Sequence, residues 1–130
     1  RRAAGARLAD RPRVYVEIWN DPFTTVGRSS FVGELVSAAG GENIGDESDK
    51  EYYQVSAEWV VGQNPDVILC LYMSPGAPAK EQVLARTGWN HVSAIRRGRV
   101  YSDFNNDILL RPGPRVLEGI DAIHRRIFEN

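Results

Sequence analysis

Asp66-Val67-Ile68-Leu69-Cys70-Leu71 is the most apolar stretch of the chain, and its reading decides the fold. Apolar side chains at successive positions mark a strand covered on both faces, as in the middle of a parallel sheet. Asn64-Pro65 stands immediately before it and ends a helix, and Ser74-Pro75-Gly76-Ala77-Pro78 follows it as a loop. A strand covered twice requires helices on both sides of the sheet, and the flanking sequence supplies them in each direction.

Working toward the N-terminus, Ser56 is placed to cap a helix from Ala57 to about Gln63. Gly45 to Glu51 is polar and acidic, a surface loop, and Asn43-Ile44 reads as a short strand or extended turn. Phe31, Val32, Leu35, Val36 and Ala39 fall at helical spacing behind a cap at Ser29 or Ser30, and Gly40-Gly41 stops that helix. Thr24 to Arg28 is expected to be loop, hinged at Gly27. Asn20-Asp21-Pro22 turns the chain after a strand from Arg13 to Ile18. Arg1 to Asp10 reads as the end of a helix stopped by Pro12.

Toward the C-terminus, a helix is expected from Ala79 to Arg86, closed by Gly88. Trp89 packs under the sheet edge, and His91 caps a short helical piece from Val92 to Arg96. Gly98 leads into a strand from Arg99 to Ser102, and Asp103 to Arg111 is a polar loop. Pro114 suits a first helical position. The last helix runs to about Phe128, with Val116, Leu117, Ile120, Ile123 and Ile127 expected to face inward. The order β-α-(β)-α-β-α-β-α predicts an α/β three-layer sandwich with a mostly parallel sheet flanked by helices. Ligands of such sheets bind outside the carboxyl ends of the strands. Those ends are Trp19-Asn20-Asp21-Pro22, Tyr72-Met73-Ser74-Pro75 and the stretch from Asp103 onward.

The remaining chemistry narrows the function classes. At 130 residues, 42% hydrophobic and 25% charged, the chain is one domain of ordinary globular composition. Its formal net charge is -1 and no basic stripe interleaves with aromatics, which argues against nucleic acid as a partner. No apolar run approaches the roughly 18 residues that span a bilayer. The single cysteine, Cys70, reads as a small buried hydrophobe. His91 and His124 pair with no Ser or Cys in a nucleophile pattern, so no catalytic residue is assigned. No His, Cys, Asp and Glu cluster calls for a metal, and no glycine-rich phosphate loop calls for a cofactor. The chain opens on Arg1 without a signal segment, which is read as processing or as excision from a longer polypeptide.

Six segments in order carry a resemblance. They are Val14 to Pro22, Ser30-Phe31 through Glu34-Leu35, Ala39-Gly40-Gly41-Glu42-Asn43-Ile44, Gln54-Val55-Ser56-Ala57-Glu58, Asn64-Pro65-Asp66-Val67-Ile68 and Arg111-Pro112-Gly113-Pro114-Arg115-Val116. Together they resemble the C-terminal lobe of the periplasmic binding proteins that capture vitamin B12, ferric siderophores and haem for ABC importers. Trp19-Asn20-Asp21-Pro22 with Arg111-Pro112-Gly113-Pro114-Arg115 looks most like the cobalamin-binding members. The resemblance implies that residues 1–11 are the tail of an interlobe helix, that residues 12–130 form the C-terminal lobe, and that an N-terminal lobe is a partner absent from the chain. It further implies a metal-chelate ligand, cobalamin before ferric siderophore or haem. The ABC permease would be the macromolecular partner, at the periplasmic or extracellular face of the membrane, with a lipid anchor allowed through the missing N-terminus.

Residue by residue, the resemblance puts Glu58 at the permease contact, where an exposed carboxylate would meet arginine. Tyr52 stands where relatives place an aromatic against the ligand, and the expected cleft-facing strand ends and loop add Trp19, Tyr72, Met73, Phe104, Asn105, Asn106 and Arg111 as ligand contacts. Aromatic faces suit a flat ligand. The amides suit its polar edge, and Arg111 suits a carboxylate or phosphate or ties its own loop to the sheet. Two other readings stand beside this one. A nucleotide-binding or flavodoxin-like module would need a phosphate loop after the first strand, where the chain has Trp19-Asn20-Asp21-Pro22-Phe23-Thr24-Thr25-Val26-Gly27. A stand-alone interaction domain would show an exposed apolar patch.

Overall fold

Residues 11–72, 78–103 and 115–128 are described in a computed structural model of the chain. Strands β1 (Arg13–Glu17) and β6 (Val67–Cys70) are the middle of a four-stranded parallel sheet. Its order is β4-β1-β6-β7, with β4 at Glu42–Asn43 and β7 at Val100–Tyr101. Val14 lies opposite Val67, Tyr15 opposite Ile68 and Val16 opposite Leu69. The apolar run is therefore a central strand.

Because successive strand side chains point to opposite faces, the two central strands feed two cores. Val14, Val16, Val67, Leu69 and Leu71 meet Leu35 and Val36 of helix α1 (Phe31–Ala38). Ile123 and Ile127 of the final helix complete that layer. On the other face, Tyr15, Ile68, Cys70 and Tyr72 meet Val60 of α2 (Ala57–Gln63), Val83 of α3 (Lys80–Leu84) and Ala94 of α4 (Ser93–Arg96). The final helix is α5 (Val116–Phe128). The expected three-layer sandwich is thus the architecture found. Trp89 is buried within the second core, edge-on to Tyr15.

Local signals act where they were read. Ser30 Oγ accepts from Gly33 N at 2.8 Å and Ser56 Oγ from Trp59 N at 3.0 Å, satisfying amides that a helix start leaves open. Asn64 ends α2 in the left-handed region at φ 51, and its Oδ1 accepts from Ser93 N at 2.9 Å.

Three expectations are corrected. The stretch from Thr24 is a strand for most of its length: β3 (Phe23–Val26) pairs antiparallel with β2 (Trp19–Asn20) and with β5 (Tyr52–Gln54). Phe-Thr-Thr-Val has strand propensity, but four residues beside a turn carry little periodicity. Leu117 is 74% exposed. It lies six residues from the buried Ile123, and at about 100° per residue that places it well off the apolar stripe. His91 does not cap α4, because the cap position is Val92. Arg1 to Asp10, the loop containing Met73, and residues 104–114 lie outside the described residues.

Candidate functional site

The antiparallel ribbon stands at the carboxyl ends of β1 and β6, where an α/β sheet presents its ligand side. It is anchored by the main sheet: Thr25 Oγ1 donates to the Val16 carbonyl at 2.7 Å and Ile18 N to the Thr24 carbonyl at 3.0 Å. One ribbon face is packed, with Phe23 against Trp89 at 5.5 Å between ring centroids and Tyr53 against Trp59 at 6.5 Å. The other face carries Trp19, 44% exposed, and Tyr52, 43% exposed, and is covered at Val26, which lies opposite Tyr52 and is buried in the first core. Trp19 is nonetheless held. Its Nε1 donates to the Asp21 carbonyl at 3.0 Å and its ring lies 5.7 Å from the ring of Tyr72.

Beneath Trp19 is a polar network that the sequence reading did not find. Glu17, at the end of β1, is completely buried. Arg86 grips both carboxylate oxygens, each at 2.7 Å. Tyr72 OH donates to Oε2 at 2.6 Å and Tyr15 OH to Oε1 at 3.2 Å. Four donors on one carboxylate satisfy a buried charge that would otherwise be costly. Burial raises the tyrosine pKa values, reinforced by the adjacent Glu17 carboxylate, so both phenols stay protonated donors. For Arg86, burial opposes the charge, but the hydrogen bonds and charge of Glu17 outweigh it and hold the guanidinium above its ordinary value. Its guanidinium also lies 4.9 Å from the Phe23 ring centroid and 4.7 Å from that of Trp89. The visible hint was a glutamate at an inward position of Val14-Tyr15-Val16-Glu17-Ile18. Its partner stands 69 residues away, beyond any local pattern.

The expected position of Tyr72 is corrected accordingly. Expected at the cleft surface, it is 1% exposed and supports Trp19 from below. Cys70 is buried as expected, its pKa pushed up to about 12 by burial and by the charge of Glu17, which makes it an unreactive thiol. Met73, Phe104, Asn105, Asn106 and Arg111 fall outside the described residues. Among the described residues, no group of three or more His, Cys, Asp and Glu is placed to hold a metal ion.

Glu58 is exposed in the first turn of α2. Beside it is an apolar depression of about 340 Å³ floored by Ala57, Val61, Gly62 and Trp89. A carboxylate at the rim of an apolar hollow can receive a side chain with a charged head and an aliphatic stem. Trp59 Nε1, nearby on the same helix, donates to Glu47 at 3.1 Å.

Residues 2–105 match the model of a family described as periplasmic binding protein. An ABC transporter substrate-binding lipoprotein of Bacillus subtilis, YvrC, is 31% identical over 116 residues, which are 88% of this chain and 35% of that protein. The vitamin B12-binding protein of Vibrio parahaemolyticus is 31% identical over 112 residues, 85% of this chain and 38% of its own length. Among solved structures, the periplasmic heme-binding protein RhuT of Roseiflexus superposes with a TM-score of 0.76 at 26% identity, over 97% of this chain and 51% of that one. The chain belongs to the periplasmic binding protein family. It spans little more than a third of the length of the curated relatives it matches.

Proposed function

We propose that the chain is the C-terminal lobe of a two-lobe solute-binding protein, residues 12–130 forming the lobe and residues 1–11 the end of the connecting helix. On this reading it works at the periplasmic or extracellular face of a membrane, delivering a metal chelate to an ABC permease. The carrying observation is the pair of exposed aromatics, Trp19 and Tyr52, on one face of a ribbon that the sheet anchors at its ligand-binding end. Large aromatic faces held against rotation cover a flat ligand at small entropic cost. Cobalamin is the first candidate, supported by the relatives named for vitamin B12; ferric siderophore and haem are the alternatives, the latter supported by the likeness to RhuT.

An enzyme module with a phosphate loop is disfavoured. After β1 the chain enters an antiparallel hairpin where that reading needs a loop opening a helix. Capture then depends on shape and hydrogen bonding, and delivery depends on Glu58. Its exposed carboxylate, beside an apolar hollow, fits an arginine of the permease.

The test is a titration of the intact two-lobe protein with cyanocobalamin, a ferric siderophore and haem, followed by calorimetry. Saturable binding of one of them, weakened at least tenfold by Trp19→Ala, supports the ribbon face. No binding of any of the three removes the reading. Glu58→Arg is expected to abolish uptake with ligand affinity intact; unchanged uptake removes the docking role.

A further inference from the structure

We propose that Gln54, with Thr24 beside it, decides which flat ligand the ribbon face accepts: one whose edge carries neutral amides, in preference to one whose edge carries carboxylates. This rests on the reading of Trp19 and Tyr52 as ligand contacts.

Register brings the residues together. Trp19 lies opposite Thr24 and Thr24 lies opposite Gln54, so the three side chains form a row across the ribbon on one face. Tyr52 is two residues from Gln54 on the same strand, and therefore on the same face. Neighbouring strands are about 4.8 Å apart and residues two apart on a strand about 7 Å apart. Trp19 and Tyr52 thus stand at diagonal corners of a patch on the order of 10 Å across, the scale of a tetrapyrrole ring. Thr24 and Gln54 complete the patch beside the buried Val26, where the edge substituents of a ring stacked on either aromatic would fall.

The hydrogen-bonding inventory of those groups is specific. Thr24 Oγ1 donates to the Pro22 carbonyl at 3.0 Å, so its proton is engaged and only its lone pairs face a ligand. Gln54 is exposed, and its side chain makes no hydrogen bond among the described residues. It offers two N–H donors and a carbonyl acceptor. A primary amide on a ligand is itself donor and acceptor and can pair with both residues. A carboxylate only accepts: it can take the Gln54 N–H donors, but it meets the Thr24 oxygen as a like pole and leaves the Gln54 carbonyl without a donor, with no cation among the side chains of the patch. Groups left unpaired at a covered site are what separate similar ligands by large factors.

The experiment uses the intact protein and calorimetric titration with cyanocobalamin, whose edge is rich in amides, and with haem, whose edge bears carboxylates. Wild type is expected to favour cyanocobalamin. Gln54→Lys supplies a charged donor without an acceptor, and is expected to move the affinity ratio at least tenfold toward haem. Gln54→Ala is expected to weaken cyanocobalamin severalfold and haem by less, because an amide loses both a donor and an acceptor partner and a carboxylate only a donor. Both substitutions are on an exposed position, and circular dichroism verifies the fold. A ratio unmoved in Gln54→Lys, while Trp19→Ala weakens ligand binding, overturns the inference and leaves the ribbon reading standing. If Trp19→Ala and Tyr52→Ala also change nothing, or wild type binds neither ligand, the ribbon reading falls and the inference with it. Wild type that favours haem overturns the inference alone.

Discussion

The parallel sheet and the antiparallel ribbon are built from neighbouring stretches of one chain but meet opposite demands. In the sheet, β1 and β6 bury side chains on both faces, all but the leading Arg13 of β1 fully. In the ribbon, β2, β3 and β5 pack one face and leave the other half-covered, with Val26 buried and two large aromatics exposed on it. On the proposed reading of Trp19 and Tyr52, stability and recognition are thereby separated in space: the sheet can be optimised for packing while the ribbon varies its aromatic face. The separation is incomplete at one point. Glu17 belongs to the sheet, and its partners Arg86 and Tyr72 touch the ribbon residues Phe23 and Trp19.

That junction carries the largest expected effect. Glu17→Gln leaves the Arg86 guanidinium in its largely covered site without a counter-charge. Breaking a buried pair in this way costs on the order of 3–5 kcal/mol, read as a shift of the urea midpoint. Replacing both partners by apolar residues, Glu17→Leu with Arg86→Met, is expected to recover most of that loss, because the desolvation penalty of both charges disappears. The double variant should still loosen Trp19, since Tyr72 loses the acceptor that fixes it. A double variant as unstable as the single one would break the comparison, by showing that the network is packing rather than paired charge.

A cavity in the sheet comes next. Leu69→Ala removes a fully buried side chain from the central strand and is expected to cost about 3 kcal/mol. Trp19→Ala, at a half-exposed ribbon position, is expected to cost no more than about 1 kcal/mol while removing ligand affinity. Measured side by side, the two variants should exchange rank between denaturation and binding. Equal ranking in both assays would mean that the ribbon and the sheet are one unit.

The same contrast explains what the sequence disclosed. Val67 to Leu71 could be read because double burial makes every position apolar, and the helix caps at Ser30 and Ser56 could be read because capping is local chemistry. Thr24-Thr25-Val26 reads as loop because its strand character depends on β5, far along the chain, and on the Thr25 bond to Val16. Trp19 stands out as an aromatic at a strand end and Tyr52 through the family resemblance, but their shared face is a matter of register. Tyr72 was misplaced for the complementary reason: a tyrosine at a strand end reads as a surface residue until its hydroxyl has a buried acceptor. The Glu17–Arg86 pair needed a tertiary contact that no spacing announces.

A pH titration sharpens the account of the second core. The Cys70 thiol has a folded pKa raised from 9.0 to about 12, and burial and Glu17 raise Tyr15 and Tyr72 as well. A raised folded pKa means that the unfolded chain loses its proton first. The contribution is complete below the unfolded value near 9 and is lost as pH rises from there through about 12. Stability should fall across that window, and Cys70→Ala should flatten the decline. A flat profile in the parent protein would show that these groups are not shielded in the folded state.

The smallest expected effect is the most local. Thr25 is fully buried, and its hydroxyl gives the side-chain hydrogen bond from β3 to the Val16 carbonyl. Thr25→Val keeps the shape and removes the donor, leaving a buried carbonyl short of one partner at about 1 kcal/mol. The loss falls on the attachment of the ribbon, because the β1–β6 ladder does not involve this side chain. Amide hydrogen exchange should therefore accelerate at Thr24 to Val26 and Tyr52 to Gln54 while Tyr15, Val16 and Ile68 to Cys70 keep their protection. Acceleration spread evenly over both sets would make the ribbon an inseparable part of the sheet. Confined acceleration accompanied by weaker ligand binding would show that the aromatic face works because the sheet holds it still.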